Sequence, residues 1–180
     1  MRVFRSPHIT DKWLKTAALR QNPALKSRIP QTRKFTRANL SHMLHQYRML
    51  YIKPRQGAKG IGVMRVEFAM KQGRKNYRLL TNRQSRTYSR FSSCYAAVSK
   101  AARRPYLLQK GIRLLTRHEH PFDFRVMVQK NARNRWEATG IVGRVAPPGN
   151  IVTNGSQGGR SFPAETLLKP YAGKKRKRKL

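Results

Sequence analysis

A glycine-rich loop between two apolar stretches, at residues 51–66, constrains the fold of this chain more than any other feature. The short run Tyr51-Ile52 leads into Lys53, glycines recur at positions 57, 60 and 62, and Lys59 lies among them. Apolar and polar residues then alternate over Ile61–Phe68. Glycines let backbone amides approach an anion, and lysines add point charges that suit phosphate. The pattern predicts a strand–loop–strand hairpin that closes over a phosphorylated ligand.

The same loop has a simpler interpretation, because glycine-rich turns join the strands of ordinary hairpins. It is not a Walker A loop, since no Gly-Lys-Ser/Thr followed by a helix is present. The rest of the chain therefore has to distinguish a plain turn from an anion site.

Basic residues greatly outnumber acidic ones, with 41 Lys and Arg against 6 Asp and Glu and a formal net charge of +35. Such an excess repels itself in a compact state and attracts polyanions. Nucleic acid or an anionic surface is the default partner for this balance, and four tyrosines could stack bases. These tyrosines are Tyr47, Tyr51, Tyr77 and Tyr88. Composition alone thus favours a nucleic-acid-binding protein, whose binding could also be non-specific.

The length of 180 residues and the hydrophobic content of 38% suit one domain with a real core or two small lobes. A single cysteine, Cys94, excludes an internal disulfide framework, and no partner residue nominates it as a catalytic thiol. No apolar run approaches the ~18–20 residues that span a bilayer, and the N-terminus lacks a signal-peptide pattern. We expect a soluble, cytoplasmic protein.

Hydrophobic periodicity predicts a helix–strand–loop–strand unit followed by a second hairpin. Asp11 is the predicted cap of a short helix, and Thr36 is the predicted cap of a helix over 37–49 that feeds a strand at 49–53. The other predicted elements are strands at 76–80, 86–89 and 106–109, a helix at 91–103 capped by Ser89 or Ser92, a hairpin of 122–130 with 136–145, and a helix from 163. The basic run 174–179 is predicted to be solvated.

Several short blocks share an order and spacing that is more specific than any one of them. They are Asp11-Lys12-Trp13, Ile29-Pro30-Gln31-Thr32, Tyr51-Ile52-Lys53-Pro54 with the glycine loop, the stretch 106–112, Pro121-Phe122-Asp123-Phe124-Arg125-Val126, the stretch 139–145, Ile151-Val152-Thr153-Asn154 and Gly158-Gly159. Together they resemble the ATP-grasp superfamily and, within it, the endospore coat-associated YheC/YheD-like family. The resemblance extends from Asp11 to about Tyr171.

The resemblance implies an α+β fold of ATP-grasp type, with two α+β lobes built on antiparallel sheets. Residues 1–10 would be a basic N-terminal segment, 11–105 the N-terminal lobe, 106–173 a partial C-terminal lobe and 174–180 a basic tail. In the family, metal ligands come late, in strands that end in a Glu-x-Asn motif. The chain stops at Leu180 before such a motif, so we expect those metal-binding strands to be missing.

The resemblance also implies an ATP site between the lobes, with Lys53 neutralising the phosphates. The residues implied in the loop over the phosphates are Gly57, Lys59, Gly60 and Gly62. The implied adenine hinge is Leu108, Gln109 and Lys110, with Ile112 and Leu107 packing near the ring. The implied catalytic residues facing the phosphates or an acyl-phosphate are Arg125 and Arg144, and Asn154 would lie at the phosphate or metal end.

Simpler roles stay open for several of these residues. Lys53 could be one solvated lysine among many, and Asn154 could simply favour a turn. Arg125 points away from the face that carries Phe124 and Val126. Its role could therefore be no more than to cover one face of the sheet.

Enzymes of this superfamily transfer a phosphoryl group from ATP to a carboxylate, and an amine or thiol attacks the acyl-phosphate. That chemistry uses Mg²⁺ held by carboxylates. Glu67 and Glu137 are isolated, Glu165 is the only acid after Asn154, and 118–120 is too short for a metal site. The sequence predicts an ATP-binding protein that is incomplete for catalysis, with no metal ligands. A nucleic-acid-binding protein and a non-catalytic spore-coat component are the alternatives.

Overall fold

The computed structural model describes residues 9–81 and 84–172, in two units that meet in the sequence at Ile112 and Arg113. The predicted basic tail at 174–180 and most of the predicted N-terminal segment lie outside the described residues. No described helix combines the length and the apolarity needed to cross a membrane.

The helices of the first unit begin largely where the capping residues predict. Helix α1 (Lys12–Arg20) begins after Asp11, whose carboxylate accepts hydrogen bonds from the amides of Trp13 and Leu14 at 2.8 and 3.3 Å. Helix α2 (Pro23–Lys26) is a single turn.

Two longer helices follow. Thr36 caps α3 (Arg37–Tyr47) by accepting from the amide of Asn39 at 3.1 Å. Helix α4 (Phe91–Ala101) has Arg90 at its N-cap position without a side-chain capping bond. The predictions of Asp11 and Thr36 as caps are confirmed, and the prediction of Ser89 or Ser92 is wrong.

Six strands form one antiparallel sheet in the first unit. They are β1 (Thr32–Lys34), β2 (Met49–Pro54), β3 (Met64–Lys71), β4 (Arg74–Thr81), β5 (Gln84–Tyr88) and β6 (Tyr106–Lys110), in the spatial order β1-β6-β2-β3-β4-β5. Strand β3 begins at Met64 rather than at the predicted Ile61, because Gly60 and Gly62 hold φ angles of 76° and 74° and lengthen the loop. Ile61 is 60% exposed as a result.

Helices α3 and α4 cover one face of this sheet and form its core. Strand β2 alternates between a buried face with Leu50 and Ile52 and a less buried face with Tyr51 and Lys53. The buried cluster that contains Ile52 includes Leu40, Met43 and Leu44 from α3, Cys94 and Val98 from α4, and Val66 and Leu108 from the neighbouring strands. Lys53 therefore lies on the face turned away from α3 and α4.

Strand β6 belongs to the first unit, between β1 and β2. Gln109 is opposite Thr32 on one side and Tyr51 on the other. The unit consequently continues to Ile112, whereas the sequence-based boundary fell before Tyr106. A β-strand far along the chain completes the sheet because backbone pairing does not depend on sequence distance.

The second unit carries a four-stranded antiparallel sheet and one helix. Its elements are β7 (Thr116–Arg117), β8 (His120–Lys130), β9 (Trp136–Val145), a 3₁₀ turn (Gly155–Gln157), β10 (Arg160–Pro163) and α5 (Ala164–Ala172), with the spatial order β10-β9-β8-β7. The predicted hairpin of β8 and β9 is confirmed. So is the predicted α+β class with antiparallel sheets.

Helix α5 seats against the base of that hairpin. Phe122, Val145 and Leu167 are buried together. A side chain on Gly143 would overlap Leu167 Cδ1, so the absence of a Cβ allows α5 to approach the sheet closely. Val126 and Val128, farther along β8, are 49% and 50% exposed. The alternation of β8 thus gives a covered face only at the base of the hairpin.

Candidate functional site

Lys53 is the charged centre of the less buried face of the first sheet. Its Nζ donates a hydrogen bond to Gln109 Oε1 at 2.6 Å. Gln109 Nε2 in turn donates to Thr32 Oγ1 at 3.2 Å. The ammonium group also lies 5.4 Å from the ring centroid of Tyr51. Three adjacent strands thus hold one lysine in a fixed position.

The surroundings of Lys53 disfavour its charge. Burial lowers the pKa of Lys53 below its ordinary value, and repulsion from Lys12 lowers it further. Among the described residues its polar contact is the Gln109 amide rather than a carboxylate. An anion placed beside Nζ would reverse both effects, so the site favours a negatively charged ligand.

The glycine loop that follows β2 is a succession of left-handed residues. Positive φ angles occur at Gly57 (109°), Lys59 (60°), Gly60 (76°) and Gly62 (74°). A Cβ on Gly62 would lie 2.9 Å from Tyr106 Oη and 3.2 Å from Pro54 Cγ, so a larger residue would be both strained and crowded there. The amides of Ile61 and Val63 donate to carbonyl oxygens within the loop, at 3.3 Å each. The loop therefore has a defined backbone conformation with internal hydrogen bonds, and it is longer than a simple hairpin turn.

Lys12, which the sequence did not single out as a site residue, anchors this loop. Its Nζ donates to the carbonyl oxygens of Pro54 and Gly57 at 2.9 and 2.7 Å. Burial lowers the pKa of Lys12, as does repulsion from neighbouring cations, while Asp11 acts in the opposite direction. The start of α1 therefore fixes the first turn of the glycine loop. The sequence feature that could have identified Lys12 is its position beside Asp11 at the start of a predicted helix.

Asp11 reinforces the same junction through Arg55, the residue after β2. Arg55 Nε donates to Asp11 Oδ2 at 2.6 Å, and the amide of Lys12 donates to the carbonyl of Arg55 at 2.9 Å. Burial tends to raise the pKa of Asp11. Hydrogen bonds from Arg55 and from the amides of Leu14 and Trp13 outweigh that effect, and the pKa lies below its ordinary value.

Two cavities border α1. One, of about 320 Å³, is lined by Asp11, Arg55, Gln56, Arg104 and Pro105. The other, of about 270 Å³, is lined by Trp13, Thr16, Ala17, Arg20 and Thr32. Thr32 also accepts the Gln109 hydrogen bond, so the second cavity adjoins the Lys53 cluster.

The predicted adenine hinge lies inside β6. Leu108 is fully buried in the core. The amides of Lys110 and Gly111 donate to the carbonyls of Gln31 and Met49, at 2.8 and 2.9 Å. These two amides therefore already donate hydrogen bonds within the first unit and are not free to bind a base. Ile112 follows with 53% of its surface exposed.

The three predicted residues of the second unit have different surroundings. Arg144 makes a bidentate pair with Asp123, with Nε–Oδ1 and Nη2–Oδ2 distances of 2.8 and 2.7 Å. Thr153 Oγ1 donates to the same carboxylate at 2.8 Å. Arg125 is exposed and lies on the same face of β8 as Asp123. Asn154 begins the 3₁₀ turn without a side-chain capping bond. Arg144 thus has a carboxylate partner that the sequence-based assignment did not foresee.

Tyr77, which could have stacked a base, and the single cysteine both lie in the core of the first unit. Tyr77 is 1% exposed and stacks on Phe68 at 4.9 Å between ring centroids, so its predicted stacking on bases is wrong. Cys94 is fully buried, and burial raises its pKa from 9.0 to about 11. Its thiol is a core group of low reactivity.

Comparison with known proteins decides the family. A family model described as YheC/D-like ATP-grasp matches residues 1–180. The chain belongs to the YheC/D-like ATP-grasp family. The resemblance noted in the sequence is thereby confirmed.

Two curated relatives of this YheC/D-like chain come from Bacillus subtilis (strain 168). Endospore coat-associated protein YheC is 27% identical over 151 residues, which are 83% of this chain and 42% of the relative. Endospore coat-associated protein YheD is 24% identical over 166 residues, which are 89% of this chain and 36% of the relative. The chain spans less than half the length of either protein.

The ATP-grasp superfamily uses Mg²⁺, and the described residues do not fit that ion. Asp11 pairs with Arg55, Glu67 with Arg65 at 3.0 Å, Asp123 with Arg144, and Glu137 accepts a hydrogen bond from Asn131. In the part of the chain that the structure describes, no three His, Cys, Asp or Glu side chains are grouped to share a metal. Mg²⁺ prefers carboxylate oxygens. Here the carboxylates of these four acidic residues are already bound by arginines or by an amide.

Proposed function

We propose that this YheC/D-like chain binds ATP in its first unit, with the phosphates held by Lys53 and by the glycine loop. The observation that carries the proposal is a half-buried ammonium group without a carboxylate partner among the described residues, held by Gln109 beside that loop. A phosphate group would supply the missing negative charge. The Gly57–Gly62 loop begins four positions after Lys53, and we propose that its glycine amides are the backbone donors.

We assign each of these residues a role in binding. Gln109 orients Lys53 Nζ, and Lys12 fixes the entry to the loop through the carbonyls of Pro54 and Gly57. Phosphate binding would raise the pKa of Lys53 again and keep it protonated. Because the amides of Lys110 and Gly111 pair within the sheet, we assign the base to the exposed apolar side chain of Ile112 instead of to those amides.

Arg125 and Arg144 stay proposed as phosphate ligands, and both belong to the second unit. Arg125 is exposed, while Arg144 would have to exchange Asp123 for a phosphoryl oxygen. We infer that nucleotide binding does not extend to ligation, because Asp11, Glu67 and Asp123 are paired with arginines and the described residues include no group of three potential metal ligands. Carboxylate–amine or carboxylate–thiol ligation through an acyl-phosphate is the family chemistry that this chain would support only in part.

The test is a thermal-shift and calorimetric titration of the full chain with ATP, with and without Mg²⁺. ATP should raise Tm, because a ligand of the folded state stabilises it by mass action. Lys53→Met, which removes the charge and keeps the length, should weaken binding about tenfold, as expected for the loss of about 1.4 kcal/mol. Lys75→Met is the matched control, since Lys75 is an exposed lysine in β4, and it should change Kd less than about twofold.

Two results would contradict ATP binding. One is no change in Tm at saturating ATP, and the other is equal weakening by the Lys53 and Lys75 substitutions. Tripolyphosphate and single-stranded DNA serve as polyanion controls, because a net charge of +35 attracts any polyanion. Binding to DNA that is unaffected by Lys53→Met and falls steeply with salt would support the nucleic-acid alternative.

Association with a spore coat is the corresponding proposal for location, and it depends on the names of the two relatives. A fluorescently tagged chain expressed in sporulating Bacillus subtilis should collect around the forming spore. A uniform signal in the mother cell would argue against a coat-associated role.

A further inference from the structure

One face of the β8–β9 hairpin is apolar and open beyond its base. Val126 is opposite Ile141, Val128 is opposite Ala138, and Lys130 is opposite Trp136. Directly opposed residues share a face of the sheet. The large apolar side chains among them, Val126, Val128, Trp136 and Ile141, are 49%, 50%, 68% and 56% exposed. We call Val126, Val128, Trp136, Ala138 and Ile141 the hairpin face.

The hairpin face continues the core of the second unit. Phe122 and Phe124 precede Val126 at alternate positions of β8, so all three point to the same side. Over Phe124 and Gly143 that side is covered by Leu167 of α5. The helix therefore covers the base of an apolar surface that extends uncovered toward the turn at 131–135.

The opposite face of the same hairpin is mainly polar, with Met127 as an exposed apolar exception, and two of its polar pairs are hydrogen-bonded across the strands. Thr139 Oγ1 donates to Gln129 Oε1 at 2.7 Å, and Asn131 Nδ2 donates to Glu137 Oε1. The hairpin is thus amphipathic. Beyond the residues that pair with β7 and β10, the hairpin is a two-stranded ribbon. Such a ribbon is marginally stable in water, so covering its apolar face would stabilise it.

We propose that the hairpin face is a docking surface for an acidic amphipathic helix of another protein, lying beside α5. Four residue steps separate Val126 from Lys130, which at about 3.3 Å per residue is about 13 Å. A helix with side chains is about 10–12 Å wide, so one helix fits this length. An apolar helical stripe on an apolar surface is a recurrent mode of recognition, and α5 shows that this side of the sheet accepts a helix.

Charge selects an acidic occupant. Lys130, Arg133 and Arg135 surround the turn of the hairpin, against the single acid Glu137. Lys130 Nζ also lies 5.5 Å from the ring of Trp136, at the edge of the hairpin face. A second copy of the chain would bring two net charges of +35 together, which opposes self-association.

A lipid surface fits less well than a helix. The turn 131–135 carries Arg133 and Arg135, so the apolar residues lie behind a charged tip instead of at it. Inserting the tip into a bilayer would bury those two charges at a cost of several kcal/mol. A helix lying across the strands covers the apolar residues and leaves both arginines in water.

The experiment uses Trp136 as its reporter. The chain has two tryptophans, and Trp13→Phe in the full chain leaves Trp136 alone. The probe is a synthetic 18-residue helical peptide with leucines at helical spacing and glutamates elsewhere. One control peptide has the same composition in a non-periodic order, and another has lysines in place of the glutamates. The titration contains no ATP, so its failure is distinct from failure of the proposed nucleotide binding.

The expected result is saturable binding of the periodic acidic peptide, with Trp136 emission moving to shorter wavelength. Val128→Asp should weaken that binding at least tenfold. Met127→Asp is the matched control, because Met127 directly precedes Val128, is 47% exposed and lies on the opposite, mainly polar face. It should change Kd less than about threefold. Ile141→Thr, a milder change of the hairpin face, should also weaken binding and guards against an unfolded hairpin in Val128→Asp.

Each other outcome overturns the proposal. Equal binding of the non-periodic peptide would mean attraction by charge alone. Binding to vesicles of anionic phosphatidylglycerol, with no response to the peptide, would identify a lipid surface. Sedimentation that shows self-association abolished by Val128→Asp would identify a second copy as the occupant. No change in Trp136 emission with any probe would mean that the hairpin face stays open.

Discussion

The first and second units cover their sheets differently, and the difference separates two kinds of surface. In the first unit, α3 and α4 bury the apolar face around Ile52, and the face left over carries Lys53 and Gln109. In the second unit, α5 covers only the base of the β8–β9 hairpin, and the surface left over is apolar, with Val126 and Val128 half exposed. A small charged ligand suits the former, while only another apolar surface suits the latter.

The comparison also shows how much helix a sheet needs. Two helices of eleven residues each cover the central strands of the first sheet. The second sheet has one helix of nine residues against strands of eleven and ten. The hairpin is longer than the helix that packs on it, so part of its apolar face has no partner among the described residues.

The largest expected effect comes from truncating a β-branched side chain in the buried core of the first unit and, for comparison, one on the exposed hairpin face of the second. Ile52→Ala should lower the free energy of unfolding of the first unit by about 2–5 kcal/mol, because it opens a cavity in a packed core. Val128→Ala should change that of the second unit by less than about 0.5 kcal/mol. Urea titrations can follow each unit through its own tryptophan, Trp13 after Trp136→Phe and Trp136 after Trp13→Phe. Similar losses at the two sites would remove the contrast between covered and open faces.

A second prediction tests whether water is excluded from the Cys94 thiol in the core of the first unit. Burial raises the pKa of Cys94 from 9.0 to about 11. Between these values the unfolded thiol ionises while the folded one keeps its proton. The folded state then binds more protons, and stability falls as pH rises. The loss approaches about 3 kcal/mol above pH 11, at about 1.4 kcal/mol per pKa unit.

The measurement for Cys94 is the free energy of unfolding from pH 8 to 10.5, compared between the wild type and Cys94→Ala. The wild type should lose stability more steeply, since alanine has no proton to release. Burial also raises the pKa of Tyr77 and lowers that of Lys53, but both groups are present in both proteins. Parallel curves would show that the thiol is hydrated.

The smallest expected effect compares two glycines of β9, one covered by α5 and one with open space beside it. A Cβ on Gly143 would overlap Leu167 Cδ1, whereas nothing lies within 4 Å of the corresponding position at Gly140. Gly143→Ala should therefore destabilise the second unit by about 1–3 kcal/mol, because α5 must shift. Gly140→Ala should be neutral or slightly stabilising, since alanine restricts the unfolded chain. Trp136 fluorescence in urea gives both values, and equal effects would mean that α5 does not seat at Gly143.

Local elements were readable from the sequence because their causes are local. Asp11 and Thr36 cap their helices through amides two or three residues away. The alternation of β8 and β9 gave the second hairpin. The α4 cap was misjudged because a serine near a helix start does not guarantee a capping bond, and Arg90 takes the position without one.

The partners in the candidate site were not readable in the same way. Lys12 reaches carbonyl oxygens 42 and 45 residues away, and nothing in its local pattern names them. Asp123 pairs with Arg144 because β8 and β9 place them opposite each other. Which residue faces which depends on register, and register is a property of the assembled sheet.

The sequence by itself determined the α+β class, the order of the longer helices and strands, the basic excess and the membership of the YheC/D-like ATP-grasp family, but it did not predict α2, β7 or β10. The class, the longer elements and the charge follow from periodicity, capping and composition, which are local or additive. The family followed instead from the order and spacing of the short blocks. Only the tertiary structure decided that β6 completes the first sheet, that Lys53 is half-buried against Gln109, and that α5 leaves the hairpin face open. Those features depend on contacts between residues distant in sequence, where packing and burial set the energies of the charges and apolar surfaces.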